Sequence, residues 1–90
     1  MPHVLLYTMG HCPYCRSAKA LLRENGVTDW IEHDLEIVPE KRGEMLAKTG
    51  GRHTVPQIFI NGTHVGGADD LFKLDAAGGL DQLLNLATQT

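Results

Sequence analysis

The sequence predicts an α/β domain: a four-stranded mixed sheet flanked by helices, in the order strand, helix, strand, helix, strand, strand, helix. Three observations carry this prediction. An apolar run near the start passes directly into a helical pattern, a second strand-like run and a second helical pattern follow, and Asn61-Gly62 joins two further β-rich runs. Strand, helix, strand in about thirty residues is a right-handed crossover between parallel strands, whereas an Asn-Gly pair joins antiparallel ones. At 90 residues, 42% hydrophobic and 21% charged, the chain has material for one core, so residues 1–90 are expected to form a single domain of ordinary globular composition.

The first strand is placed at His3 to Thr8, continuously apolar and β-branched or aromatic, as a central strand buried on both faces would be. After Cys12-Pro13-Tyr14-Cys15, the residues Cys15, Ala18, Leu21 and Leu22 recur at helical spacing, with Arg16, Lys19, Arg23 and Glu24 opposite them. Asn25 and Gly26 end that helix. Trp30 to Leu35 alternates as a second strand, parallel to the first and nearer the edge. Pro39 is expected to open the next helix, which carries Met45 and Leu46 and stops at Gly50-Gly51. Gln57 to Ile60 and His64 to Val65 flank the Asn61-Gly62 turn, whose tolerance of positive φ signals a type I′ hairpin. Asp69 to Ala77 and Leu80 to Ala87 read as helical, broken at Gly78-Gly79.

The net charge of -3 and the lack of a clustered basic face exclude nucleic acid and anionic membrane as partners. Arg16, Lys19 and Arg23 read as a solvated helix face. Acidic excess lies after His53, and there Asp69 and Asp70 are placed for a task. No basic leader or apolar signal core precedes the first strand, and no segment is long enough to span a bilayer. A cytoplasmic location is therefore expected.

Both cysteines of the chain, Cys12 and Cys15, lie on the first strand-to-helix turn. In a reducing compartment that spacing points to catalytic or metal-binding use rather than to a structural disulfide. Half of a zinc site is the competing reading, but there is no second CxxC and the five histidines are scattered. Cys12 falls where the helix N-cap would be, and Pro13 suits the first helical position because its missing N–H would be unpaired there. Amides of that turn and the positive end of the helix dipole favour a thiolate at Cys12, lowering its pKa below that of a free thiol. Cys15, one turn deeper, is expected to be more buried and to resolve the mixed disulfide that Cys12 forms.

The element order with CxxC at the first βα turn is the thioredoxin-like arrangement. Cys12-Pro13-Tyr14-Cys15, Thr54-Val55-Pro56, Gly66-Gly67 followed by Asp69-Asp70, and Gly78-Gly79-Leu80-Asp81 together resemble the dithiol glutaredoxins over nearly the whole chain. The resemblance implies a glutathione-dependent thiol–disulfide oxidoreductase that reduces glutathione mixed disulfides and protein disulfides. Glutathione would be the reducing co-substrate, with no tightly bound cofactor and no metal, and the protein would act as a monomer. It also implies a cis-proline at Pro56 facing the cysteines, with the Val55 N–H and C=O pairing with the peptide-like substrate.

On the same resemblance, Tyr14 lines the cysteinyl region of glutathione, and Gly67 allows close backbone approach. Helix N–H groups near Asp69 and Asp70 hold the γ-glutamyl carboxylate while Asp70 faces its ammonium. Without it, Gly66-Gly67 reads as a bulge or turn and Asp69 as a helix N-cap. Arg52 offers a forked contact to the glycyl carboxylate. Many members of the family carry a lysine shortly before CPYC where this chain has Met9, so a protonated His11 beside Cys12 is expected to take over part of the thiolate stabilisation. Two alternatives remain open at this point: a redoxin of the same shape that is reduced by a thioredoxin reductase, and an iron–sulfur carrier using Cys12.

Overall fold

The structure, a computed structural model, describes residues 3–85. Its elements are β1 (Val4–Thr8), α1 (Pro13–Glu24), β2 (Ile31–Asp34), α2 (Lys41–Thr49), β3 (Gln57–Ile60), β4 (Thr63–Gly66), α3 (Ala68–Ala76) and α4 (Gly79–Asn85). The strands form one four-stranded sheet in the order β2-β1-β3-β4. β2 is parallel to β1, whereas β3 is antiparallel to both β1 and β4, so the sheet is mixed as expected. Ala87, assigned above to the last helix, lies outside the described residues.

The period of β1 dictates the layering. All of its residues are buried, and successive side chains point to opposite faces of the sheet. Val4 and Leu6 join Ile58 and Ile60 of β3 in a cluster with Ala18, Leu21 and Leu22 of α1 and with Leu71, Leu80 and Leu84 from α3 and α4. Leu5 and Tyr7 pack instead with Leu35, Phe59 and Met45, the last from α2. Each fully buried side chain of this size contributes about 1.5–3 kcal/mol. One continuous apolar strand thus supplies two cores, and every helix has a face to cover.

The alternation in β2 does not sort its side chains into a buried and an open face. Ile31 and Glu32 are exposed and His33 and Asp34 half-buried, because β2 is an edge strand with a single neighbour. Its seam is polar: Glu32 accepts hydrogen bonds from Thr8 Oγ1 at 2.7 Å, Lys19 Nζ at 3.0 Å and Trp30 Nε1 at 3.1 Å. Burial alone would raise the Glu32 pKa, but these donors outweigh it and hold the carboxyl below its ordinary range.

Helix α2 begins later than Pro39. Val38 C=O accepts from Lys41 N–H at 3.0 Å and Pro39 C=O from Arg42 N–H at 3.1 Å, so the proline stands in the turn leading into the helix and Glu40 takes the N-cap position. Asn61 and Gly62 have φ of 51° and 82°, the pair of positive values that a type I′ hairpin requires. In β4 the register shifts between Ile58↔Gly66 and Phe59↔His64, leaving Val65 as the extra residue of a bulge that turns the chain toward α3. No helix among the described residues is long and apolar enough to cross a membrane.

Candidate active site

Cys12 is the N-cap of α1, with extended backbone, and Pro13 follows at the first helical position. The first N–H groups of a helix have no acceptor within it. One of them, from Cys15, points at Cys12 Sγ at 3.4 Å. The turn ahead of the helix is closed by Cys12 N–H donating to Met9 C=O at 3.2 Å. Cys12 is half-buried, so its sulfur is both reachable and supplied with a donor that suits negative charge.

Cys15 differs sharply although it lies only three residues on, in the first turn of α1. Only 1% of it is exposed, and burial pushes its thiol up to about 12, a rise reinforced by the neighbouring Cys12. A thiol so placed stays protonated at neutral pH. Neither cysteine is bonded to the other.

Across from Cys12 runs the loop Thr54-Val55-Pro56. The Cys12 thiol reaches Val55 C=O at 3.6 Å, and the Val55–Pro56 bond is cis. Pro56 is buried and Thr54 exposed. Thr54 is tied inward by Gln57, whose Nε2 donates to the Thr54 carbonyl at 2.9 Å and to its hydroxyl at 3.2 Å.

The third wall is the start of α3. Gly67, and not Asp69, is its N-cap, which leaves Asp69 and Asp70 inside the first turn. Gly67 N–H donates to Asp70 Oδ2 at 2.9 Å, and Arg52 Nη2 lies 3.5 Å from the same oxygen. The Gly67 amide, with Arg52 adding to it, holds the Asp70 carboxyl below its ordinary range. Gly66 has a φ of 120°, and a Cβ there would run into the Asp70 carboxylate. The position therefore requires glycine on two counts, conformation and space.

These walls enclose a cavity of about 500 Å³ lined by Tyr14, Arg52, Thr54, Val55, Pro56, Gly67, Ala68, Asp69, Asp70 and Lys73. Residues named from the sequence as far apart as Tyr14 and Asp70 thus meet at one opening next to Cys12. Tyr14 is 65% exposed, free to lie along a bound molecule. Ala68 and Lys73 were not foreseen. Lys73 follows Asp69 and Asp70 at the i+4 and i+3 spacing that puts helix residues on one face, a signal sufficient to have found it.

His11 and Met9 do other work than their neighbourhood suggests. The His11 side chain is 94% exposed, and its ring stands 3.6 Å from Glu36 Oε2, while its backbone N–H donates to Glu36 Oε1 at 3.2 Å. The expected approach of His11 to the Cys12 sulfur is replaced by this contact with the loop after β2. Met9 packs on the core cluster that holds Tyr7 and Phe59, so an apolar side chain at this position is drawn inward.

Three comparisons bear on the site. The glutaredoxin family model matches residues 4–65. Glutaredoxin 3 of Escherichia coli K12 is 54% identical over 84 residues, covering 93% of this chain and 99% of its own. Among solved structures, glutaredoxin from Brucella melitensis superposes with a TM-score of 0.78 at 48% identity, over 94% of this chain and 90% of that one. A buckwheat glutaredoxin–glutathione complex superposes with a TM-score of 0.80 at 27% identity, over 91% and 76%.

Proposed function

The chain belongs to the glutaredoxin family, and on that premise we propose that Cys12 and Cys15 make it a glutathione-dependent thiol–disulfide oxidoreductase acting on glutathionylated proteins and protein disulfides. The observation that carries this reading is the setting of Cys12: a reachable sulfur between the Cys15 amide at 3.4 Å and the Val55 carbonyl at 3.6 Å, at the edge of a cavity of tripeptide size.

With a glutathionylated protein, the Cys12 thiolate attacks the glutathione sulfur. The protein sulfur leaves as a thiolate and takes a proton, and Cys12 is left bonded to glutathione. A second glutathione thiolate then attacks that glutathione sulfur, releasing glutathione disulfide and the Cys12 thiolate. With a protein disulfide, the Cys12 thiolate attacks one substrate sulfur, breaking the substrate's S–S bond; the other sulfur leaves as a thiolate and takes a proton, and Cys12 is left in a mixed disulfide. Cys15 loses its proton, attacks Cys12 Sγ and expels the substrate thiolate, and two glutathione molecules later reduce the Cys12–Cys15 bond. The burial of Cys15 fits this order, because its thiol takes no part until a substrate is attached one turn above it.

The cavity walls take the remaining roles. The Val55 backbone pairs with the cysteinyl residue of glutathione, with Tyr14 alongside it. The first amides of α3 donate to the γ-glutamyl carboxylate, Asp70 offers charge to its ammonium, and Arg52 with Lys73 meets the glycyl carboxylate. Residues 1–90 would work as one monomeric domain, with glutathione as co-substrate and no resident cofactor, in a glutathione-rich compartment such as the cytoplasm.

Two variants test the reading when each is given a glutathionylated peptide and a protein disulfide with glutathione as reductant. Cys12→Ala should lose both activities by at least about a hundredfold, the usual scale for a lost nucleophile. Cys15→Ser should keep the first and lose the second. Activity retained by Cys12→Ala, or wild-type protein reduced by thioredoxin reductase and not by glutathione, would overturn it.

A further inference from the structure

The strand β3 opens with Gln57, a polar residue with 0% exposure in an otherwise apolar element. Its amide orientation is settled by its partners. The Thr54 carbonyl can only accept, so the Gln57 NH₂ faces it, at 2.9 Å. Gln57 Oε1 must then be the group that faces His64 Nε2 at 2.8 Å, and that nitrogen must carry the hydrogen. A directed chain results, from His64 on β4 through buried Gln57 to the carbonyl and hydroxyl of Thr54.

The His64 ring is fixed in a second direction. It stacks on Phe59 with centroids 4.8 Å apart and planes 24° from parallel, and Phe59 in turn packs edge-on against Tyr7 at 6.1 Å. The donor that starts the chain is thus anchored in the sheet, whereas its end point is an exposed loop residue next to Val55. Val55 C=O is the group 3.6 Å from the Cys12 sulfur.

We propose that His64 is a positioning residue: through Gln57 it holds the Thr54–Val55 backbone at the height where it receives the substrate's peptide groups above Cys12. It touches neither the substrate nor the sulfur. Its effect is expected on substrate binding and not on the chemical step, because the loop contacts the bound peptide in ground and transition states alike. The inference rests on the reading of Val55 as the glutathione-pairing residue.

The test measures kcat and KM of wild type, His64→Phe, His64→Gln, Gln57→Met and the double variant His64→Phe/Gln57→Met on a glutathionylated peptide. Cys12 alkylation by iodoacetamide and circular dichroism melts are recorded for each. His64→Phe keeps the stack on Phe59 and removes the donor; it should raise KM roughly three- to tenfold, the worth of one net hydrogen bond, with kcat within about twofold. His64→Gln restores an N–H donor and should return KM to near the wild-type value. Adding His64→Phe to Gln57→Met should change nothing further, since the chain is already cut. Alkylation, which needs no peptide pairing, should run at the wild-type rate in a folded His64→Phe protein. The proposal is overturned by a wild-type KM in His64→Phe, by equal impairment of His64→Phe and His64→Gln, by additivity in the double variant, or by a matching loss of alkylation rate. A wild-type protein that fails to turn over the glutathionylated peptide would instead sink the reading on which the inference rests.

Discussion

The two cysteines sit one helical turn apart on the same helix, yet their surroundings divide the work between them. Cys12 caps α1, where the Cys15 amide supports its sulfur and the residue is only partly buried. Cys15, inside the first turn, packs into the core with 1% exposure. At the N-cap the helix offers donors to the side chain; three positions later those donors are behind it and the apolar face of the sheet lies ahead. Residue type therefore sets what both can do, and place on the helix sets which acts first.

The contrast is sharpened most by the pH dependence of stability. The folded Cys15 thiol ionises at about 12, above the ordinary 9.0. A group whose folded pKa is raised gives stability that is complete below the unfolded pKa and is lost as pH rises through the folded one. Urea unfolding between about pH 8 and about pH 10.5 should therefore cost wild type about 2 kcal/mol that Cys15→Ala does not lose. Tyr7, whose pKa burial and Glu44 also raise, is common to both proteins and cancels in the difference. Parallel curves would show Cys15 to be no more buried in function than Cys12.

A smaller effect concerns the exposed side of the comparison. Because His11 stands against Glu36, replacing it should leave Cys12 to its helix amide. The pH profile of Cys12 alkylation in His11→Gln should superimpose on that of wild type within about twofold, the size of a screened surface charge effect. A profile displaced toward high pH would restore His11 to the sulfur.

How far the sequence carried these features depended on the range of the forces behind them. The apolar run Val4 to Tyr7, the Asn61-Gly62 turn and the cap formed by Cys12-Pro13 are local, and each was legible before the fold was seen. Pro39 was misplaced because a proline suits a turn as well as a first helical residue, and only the bonds to Lys41 and Arg42 decide between them. The parallel edge placement of β2 was legible from its alternation, but its polar seam around Glu32 was not, because Thr8 and Lys19 come from other elements. Within the site, the CxxC helix and the glycine turn were visible, but the pairings of Arg52 with Asp70 and of His11 with Glu36 join residues far apart in the chain. The link from His64 to Thr54 runs over short sequence distances but was hidden all the same: a glutamine in an apolar strand reads as an anomaly until the groups on either side of it are known.

The most direct test of the division of labour is to trap the intermediate. Cys15→Ser protein, reduced and then mixed with glutathione disulfide, should accumulate glutathione bonded to Cys12, located by peptide mass mapping after an acid quench. Cys12→Ser protein under the same conditions should remain unmodified at Cys15. Glutathione found on Cys15 at a comparable rate would contradict the account, because the buried thiol would then be attacking substrate on its own.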